Sequence, residues 1–187
     1  MLDGTNVYLI GMMGAGKSTI GQLLAQKLQY HFFDTDDLVE RSSGQKIPEI
    51  FALSGESVFR RLEHQVLAEV SAYTHLVVAT GGGIVLDRMN WSYLRYGIVV
   101  WLDVPVDVLH QRLNAHSVKR PLLDDPDPQA VLNEIYNLRR DRYAQADIHI
   151  AVTDLDRPEM VCDRLLTVMG ETIDLDRLKQ PKDEVNS

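Results

Sequence analysis

The sequence has one cysteine and lacks long apolar runs, and both shortages limit the classes of protein it encodes. Cys162 alone among 187 residues excludes an intramolecular disulfide and fits a reducing compartment. No apolar stretch approaches the roughly 20 residues that span a bilayer, so we expect no membrane association. Residues 1–4 lack the basic and apolar segments of a secretory signal. We therefore expect a cytoplasmic protein, or one of the plastid stroma if a transit peptide has been removed.

Basic residues are too few for a protein that binds duplex nucleic acid. The chain has 19 Lys and Arg against 27 Asp and Glu, which gives a formal net charge of -8. Duplex binding depends on a surplus of Lys and Arg facing the phosphates, so we expect no nucleic-acid partner. The six histidines show no metal-ligand spacing. A chain of this length fits one domain better than two.

One motif, in contrast, indicates a ligand directly. Residues 11–18 read GMMGAGKS, which matches G-x-x-x-x-G-K-[ST], and they follow a short apolar run that predicts a buried strand. In such a P-loop, backbone N–H groups surround phosphate oxygens, and the next helix points its positive end at the anion. Lys17 then reaches the outer phosphates, and Ser18 offers its hydroxyl to Mg²⁺. The motif predicts a nucleoside triphosphate as one substrate.

Five apolar runs alternate with amphipathic stretches along the chain: residues 7–10, 31–33, 76–79, 98–102 and 148–152. This alternation predicts an α/β fold, a parallel sheet with helices on both faces. Residues 38–59, interrupted by glycines and a proline, predict a pair of short inserted helices, and residues 114–128 predict an irregular loop. We expect one domain over residues 1–170 and a flexible polar tail over residues 171–187.

Acidic residues and glycines follow two of the predicted strands. In an extended segment Asp34 and Asp36 project to the same side, so that one would hold Mg²⁺ through water and the other would contact an acceptor hydroxyl. The alternative is a helix N-cap cluster with Asp36 or Asp37 as the cap. Residues 80–83 read TGGG, where bare backbone at the end of a parallel strand allows close approach of a ligand.

Arginines supply the remaining candidates. Arg60 and Glu63 lie three residues apart, which predicts either a solvated ion pair on a helix or a glutamate that orients an arginine toward a carboxylate. Arg120 lies in the irregular segment and is a candidate for a loop that closes over the γ-phosphate. A cluster of three arginines at positions 139, 140 and 142 precedes the last predicted strand.

Taken in order, GMMGAGKSTIG, DTDDLVE, IPEIF, SGESVFRRLE, TGGGIV and RPLL resemble the shikimate kinase family of small P-loop kinases over residues 7–168. The resemblance implies the fold of nucleoside monophosphate kinases: a five-stranded parallel sheet, a substrate-binding insertion over residues 38–59 and a lid around Arg120. It also implies transfer of the γ-phosphoryl group of ATP to the 3-hydroxyl of shikimate, a step toward chorismate and the aromatic amino acids. We expect a monomer that uses Mg²⁺.

The resemblance also implies roles for single residues. ATP phosphates would be held by Gly14, Ala15, Gly16, Lys17, Ser18 and Thr19, with Ser18 and Asp34 at Mg²⁺, Arg120 over the phosphates and Arg157 near the adenine. Shikimate would contact Asp36, Arg60, Gly82 and Arg139, with Gly81 and Gly83 beside it and Glu63 orienting Arg60. Asp36 would serve as the base, and Lys17 and Arg120 would stabilise the transferred group.

One segment departs from the pattern of the family. Many members have R-x-P-L-Y before the last strand, whereas residues 139–143 here read RRDRY and lack the proline and the leucine. The spacing from arginine to tyrosine assigns Arg139, and Arg140 and Arg142 remain alternatives. Two rival functions also remain: a related kinase for gluconate or a nucleoside monophosphate, and a family member that binds substrates without catalysis.

Overall fold

Five strands form the sheet predicted from the apolar runs: β1 (Val7–Ile10), β2 (His31–Asp34), β3 (Leu76–Ala79), β4 (Ile98–Asp103) and β5 (Ile148–Ala151). The structure, a computed structural model, describes residues 2–115 and 126–172. The strands pair in parallel in the order β2-β3-β1-β4-β5. All residues of the central strand β1 and of β3 are buried, as expected for a parallel sheet covered on both faces. The predicted α/β class is confirmed.

Eight helices and one short 3-10 turn connect and cover the described strands. They are α1 (Lys17–Leu28), α2 (Thr35–Ser43), α3 (Ile47–Ser54), α4 (Glu56–Ser71), the 3-10 turn (Ile84–Leu86), α5 (Arg88–Leu94), α6 (Val106–Ala115), α7 (Pro128–Tyr143) and α8 (Pro158–Thr172). Helices α1 and α8 pack against each other, and α4 packs against α2, α3 and α5. The predicted pair of inserted helices is therefore present as α2 and α3, except that α2 begins directly after strand β2.

Some predicted features lie outside the described residues. Arg120 and most of the predicted irregular loop fall between the two described ranges, and the predicted tail beyond position 172 follows the second range.

Cys162 is buried in α8. Within residues 2–115 and 126–172, no helix has the length and apolar character required to cross a membrane.

Candidate active site

A cavity of about 600 Å³ lies at the carboxyl edge of the sheet, where the segments after β1, β2, β3 and β5 meet. This edge is where ligands bind in open α/β sheets. The residues that line the cavity are Met13, Gly14, Ala15, Gly16, Lys17, Ser18, Thr19, Ile20, Asp34, Asp36, Thr80, Gly82, Arg112, Leu113, Val152, Asp156, Pro158 and Val161. The structure thus brings the P-loop, the acidic segment and the glycine segment to one place.

The P-loop has a geometry suited to phosphate. Gly16 precedes α1 with a φ of 91°, in the left-handed region that favours glycine, and α1 begins at Lys17. The Lys17 ammonium donates to the carbonyl oxygens of Gly11 at 2.9 Å and Met12 at 2.8 Å, which holds it over the loop. The positive end of the helix and the ammonium group therefore face the same end of the cavity.

Beside the P-loop, Asp34 joins the nucleotide end of the cavity to the predicted acceptor end. The Ser18 hydroxyl donates to Oδ2 of Asp34 at 2.6 Å, and Oδ1 of Asp34 accepts from the backbone N–H of Asp36 at 3.0 Å. Asp34 is therefore the N-cap of α2. The expectation that Asp34 and Asp36 share one extended segment is wrong, because the strand ends at Asp34 and the helix begins at Thr35. The alternative cap, at Asp36 or Asp37, is also wrong, although Asp36 still lines the cavity.

Each residue of the glycine loop, defined as residues 81–83, lies against a different set of candidate side chains. A Cβ at Gly81 would lie 2.5 Å from Oε1 of Glu63 and 2.9 Å from Oδ1 of Asp36. A Cβ at Gly82 would lie 3.2 Å from Nη1 of Arg139, and a Cβ at Gly83 would lie 2.6 Å from Cζ of Arg60. The absence of side chains in the loop is therefore what allows two carboxylates and two guanidiniums to converge on it.

Arg60 and Glu63 form an ion pair in which the glutamate is buried and the arginine is partly exposed. Nη1 of Arg60 donates to Oε2 of Glu63 at 2.8 Å, and the Glu63 side chain is 1% exposed. The Arg60 guanidinium also donates to Glu56 at 3.0 and 3.2 Å. Burial raises the pKa of Glu63, and the Arg60 charge opposes this. The alternative of a solvated ion pair is therefore wrong for Glu63. Its Oε1 has no hydrogen-bond partner among the residues that the structure describes.

The three arginines near the end of α7 have different environments. Arg139 is 5% exposed and lies beside the glycine loop. Arg140 is exposed to solvent, and Nη1 of Arg142 donates to the carbonyl oxygen of Leu86 at 3.2 Å. Only Arg139 of the three is thus both buried and adjacent to Gly82.

Two hydroxyl groups that the sequence analysis did not assign contact the glycine loop directly. Tyr143 donates to the carbonyl oxygen of Gly82 at 2.6 Å, and Oγ1 of Thr35 accepts from the N–H of Gly81 at 2.9 Å. The sequence held a signal for Tyr143 in its spacing from Arg139. For Thr35 the signal was its position between Asp34 and Asp36.

The cavity also contains residues that the sequence analysis missed. Arg112 and Leu113 from α6 lie there with Asp156 and Pro158, which precede or begin α8. The predicted Arg157 is exposed and is not among the residues that line the cavity. Its two neighbours in the sequence do line the cavity, and a contact of Arg157 with the adenine stays a prediction.

The fold and the cavity define a class of protein. A P-loop that lines the cavity, a hydroxyl and a carboxylate paired at Ser18 and Asp34, and carboxylates and guanidiniums that converge on the glycine loop are the parts of a P-loop kinase for a small molecule. The shikimate kinase family model matches residues 13–170. The shikimate kinase of Thermosynechococcus vestitus is 56% identical, with 90% of this chain and 91% of that protein covered. The corresponding protein of Microcystis aeruginosa is 52% identical, with 92% and 90% covered.

A solved structure leads to the same family. The shikimate kinase from Acinetobacter baumannii in complex with shikimate superimposes with a TM-score of 0.85 at 37% identity, covering 89% of this chain and 93% of that one. The chain therefore belongs to the shikimate kinase family. The resemblance derived from the sequence motifs is confirmed.

Proposed function

We propose that the chain transfers the γ-phosphoryl group of ATP to the 3-hydroxyl of shikimate, a step toward chorismate and the aromatic amino acids. One observation carries this proposal: Asp36, Arg60 and Arg139 converge on the glycine loop next to the P-loop cavity. Shikimate is a small hydroxylated carboxylate. Two guanidiniums bind its carboxylate, and a carboxylate at the other end accepts the hydrogen of its hydroxyl. The relative solved with shikimate supports this choice of acceptor.

At the nucleotide end, the backbone of residues 14–19 holds the ATP phosphates. Lys17 exchanges its carbonyl partners for the outer phosphate oxygens, to which it offers a stronger charged interaction. The Ser18 hydroxyl and the Asp34 carboxylate suit Mg²⁺, which prefers oxygen ligands and keeps several waters and phosphate oxygens in its shell. When bound, the ion neutralises charge on the phosphates. The nucleobase lies toward Arg112 and Pro158, which line the same cavity as the P-loop.

At the acceptor end, Asp36 takes the proton of the attacking hydroxyl. Glu63 acts through Arg60, because its buried carboxylate fixes the guanidinium by a 2.8 Å hydrogen bond. Arg139 is the second arginine at the substrate carboxylate, since Arg140 is exposed. Closure of a lid with Arg120 over the phosphates and a contact from Arg157 to the adenine stay predictions.

We also propose a monomer that acts in the cytoplasm, with residues 1–170 as the catalytic domain. The cysteine is buried and free, as a reducing compartment allows. Light scattering during gel filtration tests the monomer, and a truncation after residue 170 that keeps activity tests the domain.

A panel of acceptors tests the activity. ADP release is measured with Mg²⁺ and ATP in the presence of shikimate, quinate, gluconate or a nucleoside monophosphate, with Asp36→Asn as the control for contaminating kinases. We expect turnover with shikimate. Turnover of gluconate or a monophosphate with shikimate inert supports the rival kinase. Binding of ATP and shikimate without any turnover supports a family member that has lost catalysis.

A further inference from the structure

The glycine loop is held from two sides by hydroxyl groups that are completely shielded from solvent. Thr35 and Tyr143 are both 0% exposed, and their side chains bond to consecutive residues of the loop. Oγ1 of Thr35 accepts from the N–H of Gly81 at 2.9 Å, whereas Tyr143 donates to the carbonyl oxygen of Gly82 at 2.6 Å. One hydroxyl therefore fixes a donor of the loop and the other fixes an acceptor.

A loop of three glycines needs such contacts. Glycine has no side chain to pack and has more conformational freedom than other residues, so its position depends on its backbone hydrogen bonds. Thr80 ties the start of the loop to strand β1 through two bonds to the carbonyl oxygen of Leu9, at 3.0 and 3.1 Å. The bonds from Thr35 and Tyr143 extend this attachment to the part of the loop that faces the candidate side chains.

The tyrosine hydroxyl is itself held in place. The Tyr143 ring stacks on Trp101 with the ring centres 5.9 Å apart, and Trp101 stacks on His149 at 4.3 Å. Tyr143 and Arg139 are four residues apart on α7 and therefore share one face of the helix. The hydrogen bond of Tyr143 thus joins the helix that carries Arg139 to the loop beside Arg139.

Thr35 makes the matching connection on the other side. It lies between Asp34 and Asp36 at the start of α2, so its bond to Gly81 joins the loop to the segment that carries Asp36. We propose that Thr35 and Tyr143 are positioning residues, which hold the glycine loop at the correct distance from Asp36 on one side and Arg139 on the other. This inference rests on the proposed function, because Asp36 and Arg139 are assigned there to the acceptor.

The test compares two tyrosine substitutions on the same helix. Tyr143→Phe removes the hydroxyl that donates to Gly82 and that also interacts with Arg139 and with Sδ of Met12. We expect KM for shikimate to rise about 5- to 30-fold while KM for ATP stays within about twofold. Tyr136→Phe is the matched control, because the Tyr136 hydroxyl donates to Asp103 at 3.1 Å, away from the loop. We expect wild-type kinetics for it. Hydrogen exchange should be faster across residues 80–86 in Tyr143→Phe alone.

A second pair of variants tests the other side. Thr35→Val removes the oxygen that accepts from Gly81, whereas Thr35→Ser keeps it, so only the serine variant should retain the wild-type KM for shikimate. If the valine variant does not fold, the two tyrosine variants decide the question. The inference is overturned if Tyr143→Phe behaves like Tyr136→Phe, or if KM rises equally for both substrates. If the wild-type protein does not phosphorylate shikimate, the proposed function itself fails, and the two failures are distinguishable.

Discussion

Replacing Gly83 with alanine should displace the Arg60 guanidinium while leaving the backbone undisturbed. Gly83 has a φ of -94° and a ψ of -1°, which alanine can adopt, so no backbone strain is introduced. The new Cβ, however, would lie 2.6 Å from Cζ of Arg60 and 2.5 Å from its Nη2. These separations are far below van der Waals contact, and the guanidinium is the end of a flexible side chain. Arg60 must therefore move away from the glycine loop.

The size of the effect follows from the contact that is lost. A hydrogen bond to a charged group contributes about 1.5–3 kcal/mol, which corresponds to a rise of about 10- to 150-fold in KM for shikimate. We expect kcat to fall less, because Asp36 and the P-loop keep their positions. The assay is ADP release over a shikimate titration at saturating ATP, with the melting temperature measured in parallel.

Gly170→Ala is the matched control for this substitution. A Cβ at Gly170 would meet no atom within 4 Å in the part of the chain that the structure describes, and alanine is a better helix former than glycine within α8. We expect wild-type kinetics and unchanged or slightly higher stability. A Gly83→Ala enzyme with the wild-type KM for shikimate would refute the placement of Arg60 at the substrate carboxylate. An equal rise in KM for ATP would refute it too.

Four further substitutions test separate parts of the site. Asp36→Asn should lower kcat by about 10²-fold or more, the scale for a positioned base, while calorimetry shows ATP binding unchanged; a near-normal kcat would contradict the role of Asp36 as base. Arg139→Ala should raise KM for shikimate and Arg140→Ala should not, and the reverse result would show that the wrong arginine is assigned. The pKa of Asp156 lies below its ordinary value of 3.8, because its carboxylate accepts from the Thr153 N–H and, as the second cause, from Arg164. The carboxylate therefore stabilises the fold above pH 3.8 and ceases to do so as the pH falls through its lower folded pKa. Melting curves should therefore show that Asp156→Asn destabilises the protein at neutral pH and that this loss shrinks as the pH falls below 3.8; a loss that does not change with pH would contradict this.

The strands were predictable because their burial is continuous. A parallel strand covered on both faces needs apolar residues at every position, and β1 and β3 satisfy this with uninterrupted runs. Strand β2 is less buried, yet its first three residues were still recognised. The apolar pattern did not indicate that strand β2 ends at Asp34 or that Asp34 caps the next helix.

The difference at Asp34 has a physical cause. An aspartate that follows a strand has two ways to satisfy its carboxylate: it can point into a site from an extended backbone, or it can accept from the N–H two residues on. Here it does both, because one oxygen accepts from Asp36 and the other from Ser18. The sequence analysis treated helix capping and a role in the ligand site as alternatives. A carboxylate has two oxygens, so Asp34 caps α2 with one and contacts Ser18 with the other.

The arginine cluster shows what packing adds to spacing. Positions 139, 140 and 142 hold the same residue type within one helical turn, and local sequence cannot say which of them faces the protein. The tyrosine at 143 resolves this physically. An arginine four residues before a buried tyrosine shares its face of the helix, so both side chains reach Gly82, one by its guanidinium and one by its hydroxyl. The spacing from Arg139 to Tyr143 is kept here, although Asp141 and Arg142 stand where many family members have proline and leucine.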